Sequence, residues 1–415
     1  MNIAVWHNLP SGGASRALNQ HIKGLAERGH QLTVYTTSMA DSAYLDVDRY
    51  VTATHVVPLD MTLRFRHQYR DQLRSIAYLP DTQIERMLTA CAQLADKINT
   101  GGHDLLFANS CQQFMMPYIG RFVQGPKLLY LQEPNRSLYE AFPKQRWAAL
   151  PPAAGRWRNK AYRKAFWHDL FEQRQARVRV REELANYHTY DQVLVNSHFS
   201  NESVVKAYGH GANVCYLGID AAVFPDLKLP RKPFVLGLGA LFPHKRPDTA
   251  IQTLAQLPAA TRPPLVWVGN MGNREYVAEM QQLANRLNVD FQTRERIAQA
   301  ELVELLNTAS CLLYTSELEP FGYAPLEANA CGLPTVAIAE GGIRETVIDG
   351  QNGLLCPRNH AQLAAAVARL LTDKALFQRL SEQGKAWVAD KWTIYQAVDR
   401  VENELQKVLN NQRYI

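Results

Sequence analysis

The chain has no run approaching the roughly 18 continuous apolar residues that a membrane span needs, which excludes an integral membrane protein. Its start, Met1-Asn2-Ile3-Ala4-Val5-Trp6-His7, lacks a basic leader and a long apolar stretch. It reads as a first strand, and the chain is expected to stay in the cytosol. Cysteine is sparse: six residues, at 91, 111, 215, 311, 331 and 356, form no C-x-x-C pair and no regular spacing. Neither a disulfide framework nor a zinc site is suggested, and buried free thiols are the expectation. His7, His30, His103 and His168 are scattered, so no metal is implied. There is no repeat shorter than a domain and no low-complexity tract.

What is present is an ordinary globular composition, 47% hydrophobic and 20% charged, over 415 residues. That length exceeds what one core organises, so two domains are expected, an arrangement that suits a cleft enzyme. The net charge of +6 is mild but uneven. Between Lys144 and Arg181 stand Arg146, Arg156, Arg158, Lys160, Arg163, Lys164, Arg174, Arg177 and Arg179, interleaved with Trp147, Trp157, Tyr162, Phe166, Trp167 and Phe171. Two readings stay open: a solvated helical face whose rings pack on the core, or a surface for anionic lipid, with cations at the head groups and rings at the interface. No nucleic-acid motif accompanies the patch, and no such partner is expected.

Along the chain Ile3 and Val5 are strand-like, Leu18, Ile22 and Leu25 follow helical spacing, Gly29 stands at a helix C-cap position, and Leu32 and Val34 resume alternation. This βαβ unit implies parallel strands. Further strands are expected at Asp104 to Ala108, Lys127 to Leu131 and Gln192 to Asn196. Leu217 to Pro233, with Pro225 and Pro230, reads as a linker. A second series then follows, with strands at Phe234 to Leu238, Pro264 to Val268, Cys311 to Tyr314 and Pro334 to Ile338. Helices are expected at Asp248 to Leu257, Glu275 to Leu287 and Gln299 to Leu306, and a last one from Ile394 to Leu409 with Val398, Val401, Leu405 and Val408 on one stripe.

The most informative window runs from Glu317 to Val336. It follows a strand ending near Tyr314 and leads into a helix expected over Ala324 to Ala330, at the carboxyl end of a strand, where open α/β sheets bind ligands. A helix opening just after Phe321-Gly322 presents backbone N–H groups and a positive dipole end, which suits a diphosphate. Gly322 lets a ligand come close to the backbone. Glu319 precedes that helix and Glu327 lies within it, so the two carboxylates can serve different parts of one ligand.

Glu319-Pro-Phe-Gly, Leu326-Glu327-Ala, Cys331-Gly-Leu-Pro, Gly341-Gly342, Glu345 and Asn352-Gly353-Leu354 together resemble the Glu-x7-Glu region of family 4 glycosyltransferases. The resemblance covers nearly the whole chain and is specific mainly from Gly237 to Leu355. It implies a retaining GT-B enzyme of α/β class, with two Rossmann-like domains facing a cleft and a C-terminal helix crossing back to the N-terminal domain. The implied division is 1–228 together with 394–415 for the acceptor, and 229–393 for the donor. By the same resemblance Glu319 meets the donor sugar hydroxyls and Glu327 the ribose, with Phe321, Gly322, Tyr323 and Leu326 in the donor site.

Upstream, Gly237 to Lys245 resembles the family's Gly-Arg-Leu…Lys diphosphate loop. Lys245 would stabilise the charge that develops on the departing diphosphate. The family's arginine falls on Ala240, which is not a conservative change; whether Arg246 replaces it stays open, and Lys245-Arg246 as a solvated turn is the alternative. In the N-terminal half Pro10-Ser-Gly12-Gly13-Ala14 resembles a glycine loop set against the donor phosphates (Gly13) or the acceptor (Gly12), with a plain tight turn as the alternative. Leu129 to Arg136 places Gln132 where the family often has a histidine meeting the donor sugar. Glutamine can donate and accept hydrogen bonds but cannot hold a proton at neutral pH. The implied front-face mechanism needs no such base, because the departing phosphate takes the acceptor's proton. Gln132 thus joins Glu319 and Lys245 as a catalytic candidate, with Glu133 and Arg136 on the acceptor side. Asn196-Ser-His-Phe-Ser200 resembles a structural turn before a helix.

The resemblance therefore implies a hexosyltransferase of mannose or glucose type, using a GDP- or UDP-linked sugar, a saccharide or lipid-linked acceptor and neither cofactor nor metal. Cell-envelope polysaccharide synthesis fits it, in the cytoplasm or peripherally on the inner face of a membrane. The alternative, prompted by Ala240 and Gln132, is a catalytically silent nucleotide-sugar-binding protein of the same fold. Epimerase and phosphorylase signatures are not evident.

Overall fold

The computed structural model describes residues 1–41, 47–62, 68–140, 157–270 and 272–410, with 68–81 by their backbone alone. It divides into two compact units, one of Met1–Asn196, Ser200–Cys215 and Val398–Ile415, the other of Ser197–Phe199 and Tyr216–Ala397.

In the first unit β1 (Asn2–Asn8), β2 (Gln31–Thr37), β3 (Ala53–Val57), β4 (Leu105–Cys111), β5 (Lys127–Gln132), β6 (Gln192–Val195) and β7 (Asn213–Val214) form one parallel sheet in the order β3-β2-β1-β4-β5-β6-β7. The helices are α1 (Gly13–Glu27), α2 (Gln68–Thr100), α3 (Arg136–Tyr139), α4 (Lys160–Tyr187) and α5 (His198–Tyr208). The opening βαβ unit forms as the periodicity predicts: Leu18, Ile22 and Leu25 are buried, and Gly29 ends the helix at φ 84, its N–H reaching Ala26 O at 2.9 Å. The chain then returns so that Gln31 pairs with Asn2. A parallel sheet needs cover on both faces, so β1, β2, β4 and β5 are buried almost throughout. Trp6, Leu106, Leu129 and Val195 meet Met87, Cys91 and Leu94 of α2 on one face. On the other, His21 of α1 lies 6.3 Å from the ring of Phe107 and 5.3 Å from that of Tyr130.

The second unit holds β8 (Val235–Leu238), β9 (Leu265–Gly269), β10 (Phe291–Glu295), β11 (Cys311–Tyr314), β12 (Thr335–Ile338) and β13 (Gly353–Cys356), again parallel, in the order β10-β9-β8-β11-β12-β13. Its helices are α6 (Pro247–Ala255), α7 (Arg274–Arg286), α8 (Gln299–Thr308), α9 (Tyr323–Ala330), α10 (Ile343–Thr346), α11 (His360–Thr372) and α12 (Lys374–Lys391). Alternate strand residues feed two cores: Val235, Trp267, Leu313 and Val336 with α6 and α11, and Leu236, Val268, Leu312 and Ala337 with α8 and α9. β10 and β13 extend the series beyond the sequence-based expectation. β10 reads Phe-Gln-Thr-Arg-Glu and is buried only at Phe291 and half-buried at Thr293, so as an edge strand it carries no apolar run.

A last helix, α13 (Ile394–Leu409), belongs to the first unit from Val398 onward. Val398, Val401, Leu405 and Val408 are buried as its stripe predicts, and a methyl of Val398 fills the space that a side chain at Gly24 would need. Arg28 pairs with Asp399 at 2.6 Å and with Glu402 at 2.5 Å. Residues 411–415 of the expected C-terminal segment lie outside the described residues. All six cysteines are buried free thiols.

Candidate functional site

In the second unit the strand order reverses between β8 and β11, which leaves a crevice at their carboxyl ends. Gly239 follows β8 at φ 150, and the aliphatic chain of Lys245 lies 3.3 Å from where a Cβ would stand. After a single helical turn at Pro243–Lys245, Arg246 adopts the left-handed conformation (φ 54, ψ 48) and lets Pro247 open α6. The loop after β11 is tied to this one. Thr315 Oγ1 donates to the carbonyls of Lys245 (3.2 Å) and Arg246 (2.8 Å), and the Glu317 N–H donates to His244 O at 2.8 Å. Lys245 Nζ is thereby held 2.6 Å from Glu319 Oε2, which Ser316 Oγ also reaches at 2.5 Å.

The Glu319-Pro-Phe-Gly segment rests on the glycine pair at 341–342. A Cβ on Gly341 would stand 2.5 Å from Glu319 O, and one on Gly342 2.0 Å from Pro320 O; the Gly342 N–H donates to Glu319 O at 2.8 Å. Only glycines permit that approach. Gly322 then caps α9 at φ 97, so the N-terminus of α9 opens directly beyond Glu319. The side chains of Phe321 and Leu326 are buried, Phe321 against Tyr323 (5.3 Å) and Trp392 (5.6 Å), so neither presents its side chain at the surface of the site. Glu327 lies one turn into α9, 5% exposed.

Burial pushes the Glu319 carboxyl up, but the Lys245 ammonium, with hydrogen bonds from Lys245, Ser316 and Tyr314, overrides it and holds the group down at about 2. Glu319 is therefore a carboxylate at any physiological pH and only accepts hydrogen bonds. Arg246 is committed elsewhere: it makes a two-pronged pair with Asp248 (3.0 and 2.9 Å) and stands 3.6 Å from Glu317. Glu317 in turn binds Arg358 at 2.8 Å, and Arg358 binds Glu340. This chain of charges crosses the carboxyl ends of β8, β11, β12 and β13. Sequence reasoning missed it together with Ser316 and Thr315; the sequence signal is a charge two or three residues past β11, β12 and β13, with Arg246 further along the loop after β8.

In the first unit, Gly12 precedes α1 at φ 148, a conformation that favours glycine, with open space where a Cβ would point. Gln132 ends β5 at φ 72, and its Oε1 accepts from Asn196 Nδ2 at 3.3 Å, while Asn196 Oδ1 accepts from Ser200 Oγ at 2.8 Å. Glu133 and Arg136 pair with each other at 2.9 Å. A polar cluster not anticipated from sequence occupies the end of β1, where Asn8 donates to Gln113 (2.9 Å) and accepts from Thr37 (2.9 Å). Among the described residues no group of three or more His, Cys, Asp or Glu is placed to hold a metal ion.

Two Rossmann-like units in tandem, each a parallel sheet with its own order reversal, constitute the GT-B architecture. Residues 220–387, within the second unit, match the family model of glycosyl transferases group 1. Over 196 residues the chain is 33% identical to the glycogen synthase of Mycobacterium tuberculosis, covering 46% of this chain and 47% of that one. Over 226 residues it is 27% identical to the GDP-mannose-dependent alpha-(1-6)-phosphatidylinositol monomannoside mannosyltransferase of Mycolicibacterium smegmatis, covering 49% and 58%. The chain thus spans about half the length of these curated relatives. The fold is shared with Anabaena Alr3699/HepE, whose crystal structure holds UDP-glucose, at TM-score 0.70 and 19% identity over 98% of this chain and 100% of that one.

Proposed function

We propose that the protein transfers a hexosyl group of mannose or glucose type, with retention, from a GDP- or UDP-linked sugar to a saccharide or lipid-linked acceptor. The observation that carries this reading is the half-buried Lys245–Glu319 pair at the strand-order reversal, beside the N-terminus of α9 that Gly322 caps. A nucleoside diphosphate places its charge at the α9 N-terminus and Lys245, where the ammonium stabilises the leaving group as the glycosidic bond breaks. Glu319, permanently ionised, accepts hydrogen bonds from the sugar hydroxyls. Glu327 takes the ribose. The departing phosphate receives the acceptor's proton, so Gln132, already hydrogen-bonded to Asn196, serves as a hydrogen-bonding group and not as a base. The named substrates of the relatives support both nucleotide classes: GDP-mannose for the Mycolicibacterium enzyme and UDP-glucose in the Anabaena structure.

The test is a thermal-shift panel of nucleoside diphosphates and their sugars on the wild type and on Glu327→Ala, paired with an assay for nucleotide release. A ligand at about 100 times its Kd stabilises the folded state by about 2.7 kcal/mol. Selective stabilisation by one nucleotide series, lost in the variant, supports the site and names the base. No response to any nucleotide refutes it, and stabilisation without release in the presence of acceptors identifies a silent binding protein instead.

A further inference from the structure

The start of α4 carries a surface that the donor site does not use. The Trp157 ring is 53% exposed and stands 5.3 Å from Phe166 and 6.5 Å from Trp167, and those two rings are 5.7 Å apart, each pair near edge-on. Phe166, Trp167 and Leu170 are 39%, 37% and 41% exposed. The turn that folds Trp157 back over the helix is fixed. Arg163 donates to the carbonyls of Trp157 (2.8 Å) and Arg158 (3.2 Å), and Asn159 caps the helix by accepting from the Ala161 N–H at 2.9 Å. The rings thus pack on one another and face water. This is not the arrangement of a solvated helix whose aromatics serve the core.

The charge on the N-terminal side of the rings is of one sign. From 157 to 168 the chain places Arg158, Lys160, Arg163 and Lys164 and no acidic residue; Asp169 is the first. Lys144, Arg146, Trp147 and Arg156, which belong to the same basic stretch, lie outside the described residues. We propose that this surface docks the protein on an anionic lipid bilayer, with the rings at the boundary of head groups and acyl chains and the cations against lipid phosphates. No helix among the described residues is long and apolar enough to cross a membrane, so the attachment is to the surface. A second copy of this chain is the poorer occupant, because a symmetric contact would set the cation belt against itself.

Flotation of the full-length protein with vesicles of phosphatidylcholine alone, or with about one third phosphatidylglycerol, tests this. Binding is expected to the anionic vesicles only, and to weaken as salt is raised. Changing Arg158, Lys160 and Lys164 to Gln lowers the partition by on the order of 100-fold, from about fivefold for each cation. Changing Trp157, Phe166 and Trp167 to Ala lowers it by at least about tenfold, from the exposed ring area they lose. Because all six side chains lie at the surface, both variants should melt with the wild type, which separates lost docking from lost folding. Wild type that fails to float with anionic vesicles at low salt, or floats equally with both lipids, overturns the proposal. So does a wild-type dimer on size exclusion that the ring variant converts to monomer, which would assign the surface to a second copy. Neither readout depends on glycosyl transfer.

Discussion

Replacing Glu319 by Gln keeps the shape of the side chain and removes its charge, and so isolates what the ion pair with Lys245 contributes. The Glu319 carboxyl ordinarily titrates near 4.5 and is held at about 2 in the folded chain. A displacement of that size corresponds to about 3 kcal/mol in favour of the folded state when the group is ionised. Because the side chain is only 16% exposed, solvent screening removes little of it. The sign follows from the order of protonation. The unfolded chain takes up its proton first as pH falls, so the contribution is complete above about pH 4.5, declines below it and disappears near pH 2. Urea unfolding followed by the fluorescence of Trp267, Trp387 and Trp392, all in the second unit, should find Glu319→Gln less stable than wild type by about 3 kcal/mol at pH 7. At pH 3.5 the gap should have shrunk by about 40%. The corresponding fall in Tm at pH 7 is roughly 6–12 °C. A gap that is absent at pH 7, or that stays constant down to pH 3.5, would refute the assignment of Glu319 as a carboxylate held by Lys245.

Gly342→Ala places a methyl 2.0 Å from Pro320 O and must displace the Glu319-Pro-Phe-Gly segment. We expect a lower Tm in thermal unfolding and no stabilisation by any nucleoside diphosphate, whereas retained nucleotide binding would show that the segment's position is not needed. In the first unit, burial holds His7 and His21 at about 4 against an ordinary 6.5. The unfolded chain therefore protonates them first, and hydrogen-exchange protection in α1 and β1 should fall by several kcal/mol between pH 6.5 and 4. Protection unchanged over that window would mean that neither ring is neutral because of burial. Asp248→Asn withdraws the two-pronged partner of Arg246. If the guanidinium can serve in place of the arginine absent at Ala240, nucleoside diphosphate affinity should rise by about threefold to tenfold in calorimetry; unchanged or weaker binding would assign Arg246 to holding its loop.

How much of this was legible from sequence follows from how local each feature is. The βαβ opening could be read because Leu18, Ile22, Leu25 and Gly29 state a helix and its end within one stretch, and α13 because its valines and Leu405 keep one period. Buried central strands such as Cys311–Tyr314 announce themselves as continuous apolar runs. An edge strand such as β10 does not, since its neighbour on one side is solvent. α2 and α4 also went unassigned. Their boundaries fall in polar or aromatic sequence, and the exposed rings of α4 give it no single apolar stripe.

The site divides along the same line. Glu319, Gly322 and Glu327 are read from one short window, because a loop that enters a helix at a strand end is a local event. The partner that fixes the charge of Glu319 lies 74 residues away, and only the adjacency of β8 and β11 brings it within 2.6 Å. Sequence could nominate Lys245 for a diphosphate but not show that its ammonium is paired with a carboxylate. That changes the expected energetics of donor binding. On the proposed function an incoming diphosphate would have to share or displace Glu319, which is compensated only if the sugar hydroxyls replace the hydrogen bonds that Glu319 gives up. A nucleoside diphosphate lacking its sugar supplies no such replacement. On the proposed function the ion pair would make recognition of the sugar a condition for full use of Lys245, through a coupling that neither residue would show alone.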